Sequence, residues 1–574
     1  MVFEDLITRL ALENALKFKG VANPKALIGG VIRAHPEAKT NMDSLMTSIN
    51  EIVSLVNNKS LDEQKSWLLS LDPDFESRKA SLKKERREQR ALLPELPNAI
   101  VGKVVTRIPP EPSKYNHLGH AMSFLINYLY AKKYDGKAIL RFDDTNPEKE
   151  TQEFVDAVFE DVVNYLGIQP DEIVFASDHM DKYYSMAEKL IDDGLAYVCS
   201  CSQEMIKDNR RHMKLCPHRT LSVSENKHLW SEMKLGIPEE GSLVLRLKID
   251  MSHKNAVMRD PVIFRLSYAN HYRQKNKYKV WPMYDFETSI EEGFCGVTHV
   301  LRSNEFDQRI ELQNFIAGLF DFPPVTYKHY GRYNVIGAST QGREIRALIE
   351  SGKYIGWDDP RLVTLRALKR RGILRESFYE LAQKIGLSKT QTNLDFSVIA
   401  SVNRSLLDKS AKRFFAVKDP VVISVKNIPE DLKFFLLKFH PDNSKHDRKI
   451  NCSKDYFIER SDLENIEDGQ LVRLMDAMNI RRVSETTFEF VSTDYDSFKT
   501  SSEKTAGLIH FVPKDGNELK ASLLMPDLSE TDLICESNLG REKPGVVVQF
   551  ERFAFARFDH VKKDGTISLW FSHE

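Results

Sequence analysis

The chain has 574 residues, of which 41% are hydrophobic and 29% are charged, so it is neither disordered nor fibrous and is long enough for about four domains. Its 82 basic and 83 acidic side chains leave a net charge of −1 at pH 7, so any nucleic-acid partner must be held by local patches. No apolar run approaches the roughly 20 residues of a membrane span, and the first residues lack a basic region followed by an apolar stretch. We therefore expect a cytoplasmic protein with no membrane partner.

Residues 1–97 are predicted to form a helical N-terminal extension that either binds a protein partner or packs on the rest of the chain. Two prolines, Pro94 and Pro97, end this region. The basic segment 76–93 is interpreted as a solvated helix, with a contact to nucleic-acid phosphates as the alternative. The helical prediction depends on apolar residues at three- and four-residue steps, which are Met42, Leu45, Met46, Ile49, Ile52, Val53 and Val56.

The pattern changes after residue 97. Runs typical of strands at 100–106 and 138–142 flank a helical pattern at 118–133, which predicts a β-loop-α-β unit and a parallel sheet within residues 98–335. Helical patterns dominate a connecting region at 336–404. Short β-branched runs separated by charged turns then predict antiparallel β-barrels over 405–574.

The loop between the first strand and its helix favours an anion. His117 and His120 flank Gly119 at the point where the helix begins, so imidazoles and unpaired backbone N–H groups face the same place. A glycine there lets a planar ligand approach the backbone closely. The alternative is that two histidines three residues apart are purely structural.

The cysteines suggest a metal in a reducing compartment. Six in a chain of this length are too few for a disulfide framework. Cys199 and Cys201 follow a strand-like run that directs both thiols to one side, and Cys216 and His218 return some fifteen residues later. We predict a tetrahedral Zn²⁺ site from these four residues, and ordinary buried or surface thiols are the alternative.

Several blocks of the sequence, taken together and in order, resemble the class I aminoacyl-tRNA synthetases, and within them the glutamyl/glutaminyl branch of archaeal and eukaryotic type. Residues 117–120, His-Leu-Gly-His, are similar to the HIGH motif of that class, and the Arg-x-Pro-Pro-Glu-Pro-Ser lead-in before them is the one this branch uses. The likeness covers nearly the whole chain after residue 93. The further blocks that match are 141–150, 281–286, 296–302, 356–361, 508–513 and 549–552.

The resemblance implies a Rossmann-type catalytic domain with an acceptor-binding insertion at about 190–280, a helical stem-contact region and anticodon-binding barrels. His117, Gly119 and His120 would contact ATP, with Mg²⁺ on the phosphates, and the imidazoles would stabilise charge at the attacked α-phosphate. Without the resemblance, Asp143 would be interpreted as a turn residue and Tyr284 as a core aromatic. The implied amino-acid contacts are Arg107, Ser113, Asp143 and Tyr284.

Arg302 is the position from which we infer the amino-acid substrate. The resemblance implies arginine at this position in glutamyl enzymes and a neutral cysteine in glutaminyl enzymes. A buried arginine left unpaired is unfavourable by several kcal/mol, and a side-chain carboxylate neutralises it where an amide cannot. Glutamate is therefore favoured over glutamine, and an ion pair between Arg302 and Glu305 is the structural alternative.

The chain departs from the class pattern in its second signature loop, KMSKS, whose lysine meets the leaving pyrophosphate. The loop should fall at 340–344, where no lysine is present. A lost phosphate contact of this kind raises the barrier by about 3 kcal/mol. Arg343 is the nearest replacement, and Lys114, which stands in a loop where the branch has glycine, is a second. We predict that one of these two cations meets the phosphates of ATP.

The resemblance therefore implies a ligase of protein biosynthesis that activates glutamate with ATP and charges tRNA(Glu), with tRNA(Gln) as a further acceptor. Its barrels would read anticodon bases, and 413–415, Arg-Phe-Phe, is a candidate stacking site or else a part of the barrel core. Two alternatives stay open. One is a glutaminyl enzyme, and the other is a catalytically impaired synthetase-like protein that binds tRNA.

Overall fold

The computed structural model describes residues 4–35, 42–75, 93–442 and 447–574. Its contacts divide the chain into two compact units, Met1–Leu92 and Leu93–Glu574. Among the described residues, no helix is both long enough and apolar enough to cross a membrane. Residues 76–92 lie outside the described residues, so the interpretation of the basic segment there stays a prediction.

The described residues of the first unit are mainly helical, as the sequence predicts. Ser60 begins α4 with a capping box in which its hydroxyl accepts from the Glu63 N–H and Glu63 accepts from the Ser60 N–H at 2.8 Å. The predicted stripe of α3 is buried at Leu45, Ile49, Ile52, Val53 and Val56. The helices are α1 (Glu4–Lys17), α2 (Pro24–Ala34), α3 (Met42–Asn57) and α4 (Leu61–Leu71).

A parallel sheet begins the second unit. It contains β1 (Val105–Ile108), β2 (Lys137–Phe142) and β3 (Glu172–Phe175), and α5 (Leu118–Lys133) connects β1 to β2. The predicted β-loop-α-β unit is present, but β1 starts five residues later than expected. Residues 101–103 form a turn in which Gly102 adopts a φ of +78°, a conformation that favours glycine and is incompatible with a strand.

A second pair of parallel strands, β8 (His299–Ser303) and β9 (Thr326–Tyr330), lies beside β1, because the Thr298 N–H donates to the Val105 carbonyl at 3.0 Å. Between them in sequence, four strands form an antiparallel sheet: β4 (Ala196–Cys199), β5 (Val244–Leu247), β6 (Val262–Leu266) and β7 (Val280–Pro282). The helices of this region are α6 (Gln152–Phe159), α7 (Met180–Asp192), α8 (Gln203–Arg211), α9 (Val223–Leu235), α10 (Tyr284–Phe294) and α11 (Ile310–Gly318).

The connecting region is mainly helical, as predicted. A short parallel pair, β10 (Tyr333–Val335) and β11 (Thr392–Leu394), brackets it. The helical pattern that runs from residue 359 to 386 forms two helices, since Gly372 adopts a φ of +82° between them. The helices are α12 (Gly342–Glu350), α13 (Leu365–Arg370), α14 (Arg375–Ile385) and α15 (Phe396–Leu407).

Two seven-stranded sheets make up most of the C-terminal region, in the orders β21-β18-β19-β20-β14-β17-β22 and β12-β25-β26-β27-β23-β24-β13. Four of the pairs, β14/β20, β18/β21, β12/β25 and β23/β27, are parallel, so the expectation of purely antiparallel pairing is wrong for these strands. Parallel neighbours need crossover connections, which short β-like runs do not reveal. The strands are β12 (Arg413–Phe414), β13 (Ala416–Lys418), β14 (Pro420–Lys426), β15 (Phe434–Leu437), β16 (Arg448–Asn451), β17 (Asp455–Glu459), β18 (Leu471–Leu474), β19 (Met478–Ser484), β20 (Thr487–Ser492), β21 (Thr505–Ile509), β22 (Val512–Pro513), β23 (Leu519–Leu524), β24 (Glu530–Cys535), β25 (Val547–Phe550), β26 (Ala554–Val561) and β27 (Ile567–His573), with the short helices α16 (Arg460–Glu464) and α17 (Tyr495–Lys499).

The rings at 414 and 415 do not form a stacking surface. Phe414 and Phe415 are both fully buried, and they belong to the cores of the two different sheets. Consecutive residues of an extended chain point in opposite directions, so adjacent aromatics can enter two cores at once. The prediction of an anticodon contact at these rings is wrong, and the core alternative holds.

Candidate active site

A cleft of about 1870 Å³ is lined by residues that follow β1 and β2, the edge of a parallel sheet where ligands commonly bind. Most of the predicted ATP and amino-acid contacts lie on its wall. Ser113 and Arg343 are not among the described residues that line it. Those that do are Arg107, Lys114, His117, Gly119, His120, Asp143, Tyr284 and Arg302.

The two histidines stack at the start of α5, with ring centroids 3.8 Å apart. His117 is the N-cap: its Nδ1 accepts from the Gly119 N–H at 3.0 Å, and His120 Nδ1 accepts from the His117 N–H at 3.2 Å. Burial and the nearby cations Lys114 and Arg332 lower the pKa of His117 to about 3, and burial lowers the pKa of His120 well below its usual value. Both rings are therefore neutral at pH 7.

The hydrogen bonds of the histidines also fix where their protons are. A neutral imidazole carries one proton, and in both rings Nδ1 is an acceptor, so the proton is on Nε2. The backbone N–H groups of residues 118–121 are already hydrogen-bonded, so the unpaired backbone donors expected from the sequence are not present at this helix start. The two Nε2–H groups, which lie side by side, are the donors available there. A side chain at Gly119 would disturb them, since a Cβ there would lie 3.0 Å from the His117 ring. This arrangement suits phosphate oxygens without requiring either ring to act as a base.

At one end of the cleft, buried arginines are compensated by buried carboxylates. Arg107 Nε donates to Glu292 at 2.7 Å, and Arg141 Nε donates to Asp143 at 2.6 Å. Arg141 Nη1 also lies 3.5 Å from Glu292. Burial opposes the ionisation of Glu292, but Arg107 and Arg141 lower its pKa. Burial and the neighbouring Asp143 raise the pKa of Glu287 well above its usual value, which favours its neutral form. Burial also raises the pKa of Asp143, although Arg141 opposes that shift.

Arg302 has a different environment. Its side chain is only 6% exposed, and its three nitrogens donate to neutral groups: Nε to His329 Nε2 at 3.1 Å, Nη1 to the Tyr284 hydroxyl at 3.3 Å and Nη2 to Gln313 Oε1 at 2.7 Å. Burial lowers the pKa of His329, which keeps that ring neutral. Among the described residues, no carboxylate pairs with Arg302. The alternative of an ion pair with Glu305 is wrong, because Glu305 lies 3.6 Å from Arg332 instead.

The two candidate replacements for the missing lysine differ in position. Lys114 lines the cleft, makes no hydrogen bond or ion pair to another described residue, and lies under the signature loop, where a Cβ on Gly342 would be 3.2 Å from its own Cβ. Arg343 lies on the exposed side of α12. Arg332, which the sequence analysis did not select, lines the cleft near His117. The geometry thus favours Lys114 over Arg343 and adds Arg332 as a cation.

The predicted metal ligands converge. The thiols of Cys199, Cys201 and Cys216 and the Nδ1 of His218 all lie within 4.8 Å of one another. Cys216 Sγ is 3.5 Å from each of the other two sulfurs, close to the ~3.8 Å between sulfurs around a tetrahedral zinc. His218 Nε2 is 2.8 Å from the Ser200 hydroxyl, an outer contact that orients the ring.

Sequence reasoning missed the groups that hold the arginines. Glu292 carries a signal that could have been used, since Tyr284, Thr288 and Glu292 follow each other at four-residue steps on one face of α10. His329 carries none, because it reaches Arg302 only through the register of two parallel strands distant in sequence.

Two family models match the chain. The model for the catalytic domain of tRNA synthetases class I (E and Q) matches residues 103–409, and the model for the anti-codon binding domain of the same group matches residues 411–495. Together they cover well over half of the chain, from just before β1 to residue 495. The chain belongs to the class I tRNA synthetase E and Q family.

The similar curated proteins are named glutamate–tRNA ligases. The one from Pyrococcus furiosus is 38% identical over 99% of this chain and 100% of its own length, and the one from Korarchaeum cryptofilum is 37% identical over 97% of each chain. A solved glutamate–tRNA synthetase from Elizabethkingia anophelis aligns at 18% identity and a TM-score of 0.40, covering 54% of this chain and 71% of its own. The full-length relatives are therefore the informative comparison.

Proposed function

We propose that this chain is a glutamate–tRNA ligase, which condenses glutamate and ATP into glutamyl-adenylate and then charges the 3′-terminal ribose of tRNA(Glu). The observation that carries the proposal is Arg302, a buried cation that faces the cleft and is held by three neutral groups. An uncompensated buried charge is unfavourable, and the side-chain carboxylate of glutamate would neutralise it. Glutamine would present an amide to the same guanidinium. The relatives named glutamate–tRNA ligases support this choice.

The residues of the cleft have distinct parts in the first step. The α-carboxylate of glutamate attacks the α-phosphate of ATP, and pyrophosphate leaves. The Nε2–H groups of His117 and His120 would donate to the phosphate oxygens on which charge develops, without any transfer of a proton. Lys114 and Arg332 would place positive charge near the departing phosphates, the role of the lysine that the signature loop lacks.

The compensated end of the cleft would hold the amino-acid backbone of glutamate. Both carboxylate oxygens of Asp143 accept from Arg141, but a carboxylate oxygen can accept a second hydrogen bond. Because Asp143 lines the cleft, it would hold the substrate ammonium. Arg107 would orient the α-carboxylate from its fixed place on Glu292. Tyr284 would contribute a hydroxyl between the two ends. In the second step, a hydroxyl of the terminal ribose attacks the activated carbonyl and AMP leaves.

The proposal also assigns a role to each of the other regions of the chain. The parallel strands β1, β2 and β3 would belong to a Rossmann-type domain, the β4–β7 sheet to an acceptor-binding insertion, and the two C-terminal sheets to barrels that contact the anticodon arm. The match of residues 411–495 to an anti-codon binding domain supports the last assignment. A cytoplasmic location is part of the proposal and is supported by the six cysteines, all of which are free thiols.

We also propose that Cys199, Cys201, Cys216 and His218 hold a structural Zn²⁺. The donor set fits, because three thiolates and one neutral imidazole around a dication carry one net negative charge. Arg246 is fully buried, donates to Cys199 Sγ at 3.9 Å and would balance that charge. Zinc would tie the β4 edge to the following turn, and Mg²⁺ would screen the phosphates of ATP. Metal analysis of the purified protein tests the zinc site: Cys216→Ser should lose the one equivalent that Cys295→Ser keeps.

The decisive experiment charges purified tRNA species with labelled glutamate and with labelled glutamine. Incorporation of glutamate into tRNA(Glu) is expected, and tRNA(Gln) in the same assay reports whether it is a second acceptor. Preferential incorporation of glutamine would identify a glutaminyl enzyme. Failure to form any adenylate, with tRNA still bound, would identify a binding protein and overturn the proposal.

A further inference from the structure

A six-residue helix, α13, is attached at its start to the loop that carries the histidine pair. The Leu118 N–H donates to the Val363 carbonyl at 3.0 Å, and the Leu365 N–H donates to the Asn116 carbonyl at 2.9 Å, which places Thr364 opposite His117. The Thr364 hydroxyl caps α13 and also donates to the Trp357 carbonyl at 2.5 Å. The position of the ATP-binding histidines is thereby tied to the start of α13.

The end of the same helix is attached to the last strands of the chain. Arg370 donates through Nε and Nη2 to both carboxylate oxygens of Asp559 in β26, at 3.2 and 3.0 Å, and through Nη1 to Asp358 at 2.5 Å. Its guanidinium lies 4.1 Å from the ring of Trp570 in β27. The next residue, Arg371, donates to the Ser572 carbonyl at 2.8 Å and to the Pro360 carbonyl at 3.1 Å.

The segments that contact the two ends of α13 cannot move independently, because the helix between them is short. Six residues of helix span about 9 Å, and a short helix transmits a displacement as a rigid body. The bidentate pair of Arg370 with Asp559 also fixes orientation, because the planar guanidinium matches the carboxylate at two points. Asp358 on the third nitrogen holds the loop that leads into α13. A shift of β26 and β27 must therefore move α13 or break these bonds.

From this geometry we propose that Arg370 is a positioning residue, through which the last two strands of the chain hold His117 and His120 in the geometry that ATP requires. These strands lie beyond residue 495, where the match to the anti-codon binding domain ends. Arg370 does not line the cleft, so its effect on the histidines would pass through α13. The catalytic consequence rests on the proposed function, whereas the mechanical link from β26 to residues 116–120 does not.

The test compares Arg370→Gln and Asp559→Asn with Arg375→Gln, an exposed arginine five residues away that pairs with its neighbour Glu376. Hydrogen exchange of the peptide that covers residues 116–120 is measured without any substrate. Both test variants should exchange at least about 10-fold faster there than wild type, and Arg375→Gln should not. Arg370→Lys, which keeps the charge but loses the bidentate pair, should be intermediate. Wild-type exchange in Asp559→Asn would overturn the proposal, even if Arg370→Gln failed to fold.

Kinetics then separate positioning from a general loss of structure. In Arg370→Gln, kcat for glutamylation of full-length tRNA(Glu) should fall about 10-fold with an unchanged KM for glutamate, since small displacements of catalytic groups act on the chemical step. An acceptor-stem hairpin, which cannot reach the C-terminal sheets, should show the same loss, because α13 holds the histidines whether or not an RNA contacts those sheets. A loss confined to full-length tRNA(Glu) would overturn the proposal, since the substitution would then act on an RNA contact. A wild-type protein that charges neither RNA would instead refute the proposed function and leave the exchange result to decide the link.

Discussion

The two ends of the cleft solve the same problem, a buried arginine, in opposite ways. At the first end, Arg107 and Arg141 are neutralised by Glu292 and Asp143. At the second, Arg302 has only the neutral acceptors Tyr284, Gln313 and His329. In a compensated pair the positive charge of the arginine is neutralised before any ligand binds. The charge of an uncompensated guanidinium is neutralised only when an anion binds. From this difference we expect the second end to be where a carboxylate is selected over an amide.

The largest expected effect comes from removing the compensation at the first end. Glu292→Gln leaves Arg107 and Arg141 with one carboxylate fewer in a fully buried site, and the free energy of unfolding should fall by about 3–5 kcal/mol. Thermal and urea unfolding measure this loss. Glu376→Gln, which removes an exposed ion pair, is the control and should stay within about 0.5 kcal/mol of wild type. Similar losses in the two variants would mean that the first end is not charge-balanced.

The second effect tests selection at the other end. Arg302→Cys removes the uncompensated charge, and kcat/KM for glutamate should fall about 100-fold or more, because the substrate carboxylate then loses a charge-assisted partner inside the cleft. Discrimination against glutamine should fall with it. Aminoacylation kinetics with both amino acids check this outcome, with Lys328→Gln on the neighbouring strand as the control. Glutamate charging at the wild-type rate would remove Arg302 from the specificity site.

The histidine pair extends the comparison to groups with no charge. The pKa of His117 is lowered to about 3 in the folded protein from an ordinary 6.5, so its contribution to stability is present above pH 6.5 and is lost as the pH falls toward 3. Between pH 7 and pH 5 this amounts to about 2 kcal/mol.

His117→Asn keeps an acceptor for the Gly119 N–H but cannot be protonated. Its free energy of unfolding should therefore decline less than that of wild type over this range, by the same amount. Urea unfolding at both pH values measures the difference. Parallel declines would show that His117 is protonated in the folded protein.

The smallest expected effect comes from a substitution that gives the second end a carboxylate like those of the first end. Gln313→Glu would supply Arg302 with a permanent carboxylate partner, which competes with the substrate, and KM for glutamate should rise about 10-fold. Asp285, which now accepts from Gln313 Nε2 at 3.1 Å, stays neutralised by Arg309. Gln313→Met, which removes the acceptor without adding charge, is the control. An unchanged KM in Gln313→Glu would show that compensation does not decide affinity at this end.

The sequence predicted the parts of the site that lie close together in the chain, and much less of what joins distant parts. The histidine pair follows from one loop and one helix start, and the four proposed metal ligands follow from a strand edge and a turn. The neutral shell of Arg302 draws on β9, α10 and α11, so it depends on strand register and helix packing that no local pattern specifies. The fold shows the same limit. Helices with a regular apolar stripe were predicted at nearly their true positions, whereas the parallel pairs of the C-terminal sheets depend on crossovers between remote segments.

The volume of the cleft bears on the order of events. Pockets for a single small ligand usually measure about 300–1,000 Å³, and this one is about 1870 Å³. A nucleotide, an amino acid and the last base of an RNA strand can occupy such a space together. An activated intermediate formed there does not have to move to a second site, and no other ligand has to leave before the RNA binds. It can be consumed where it was made, before water competes for it.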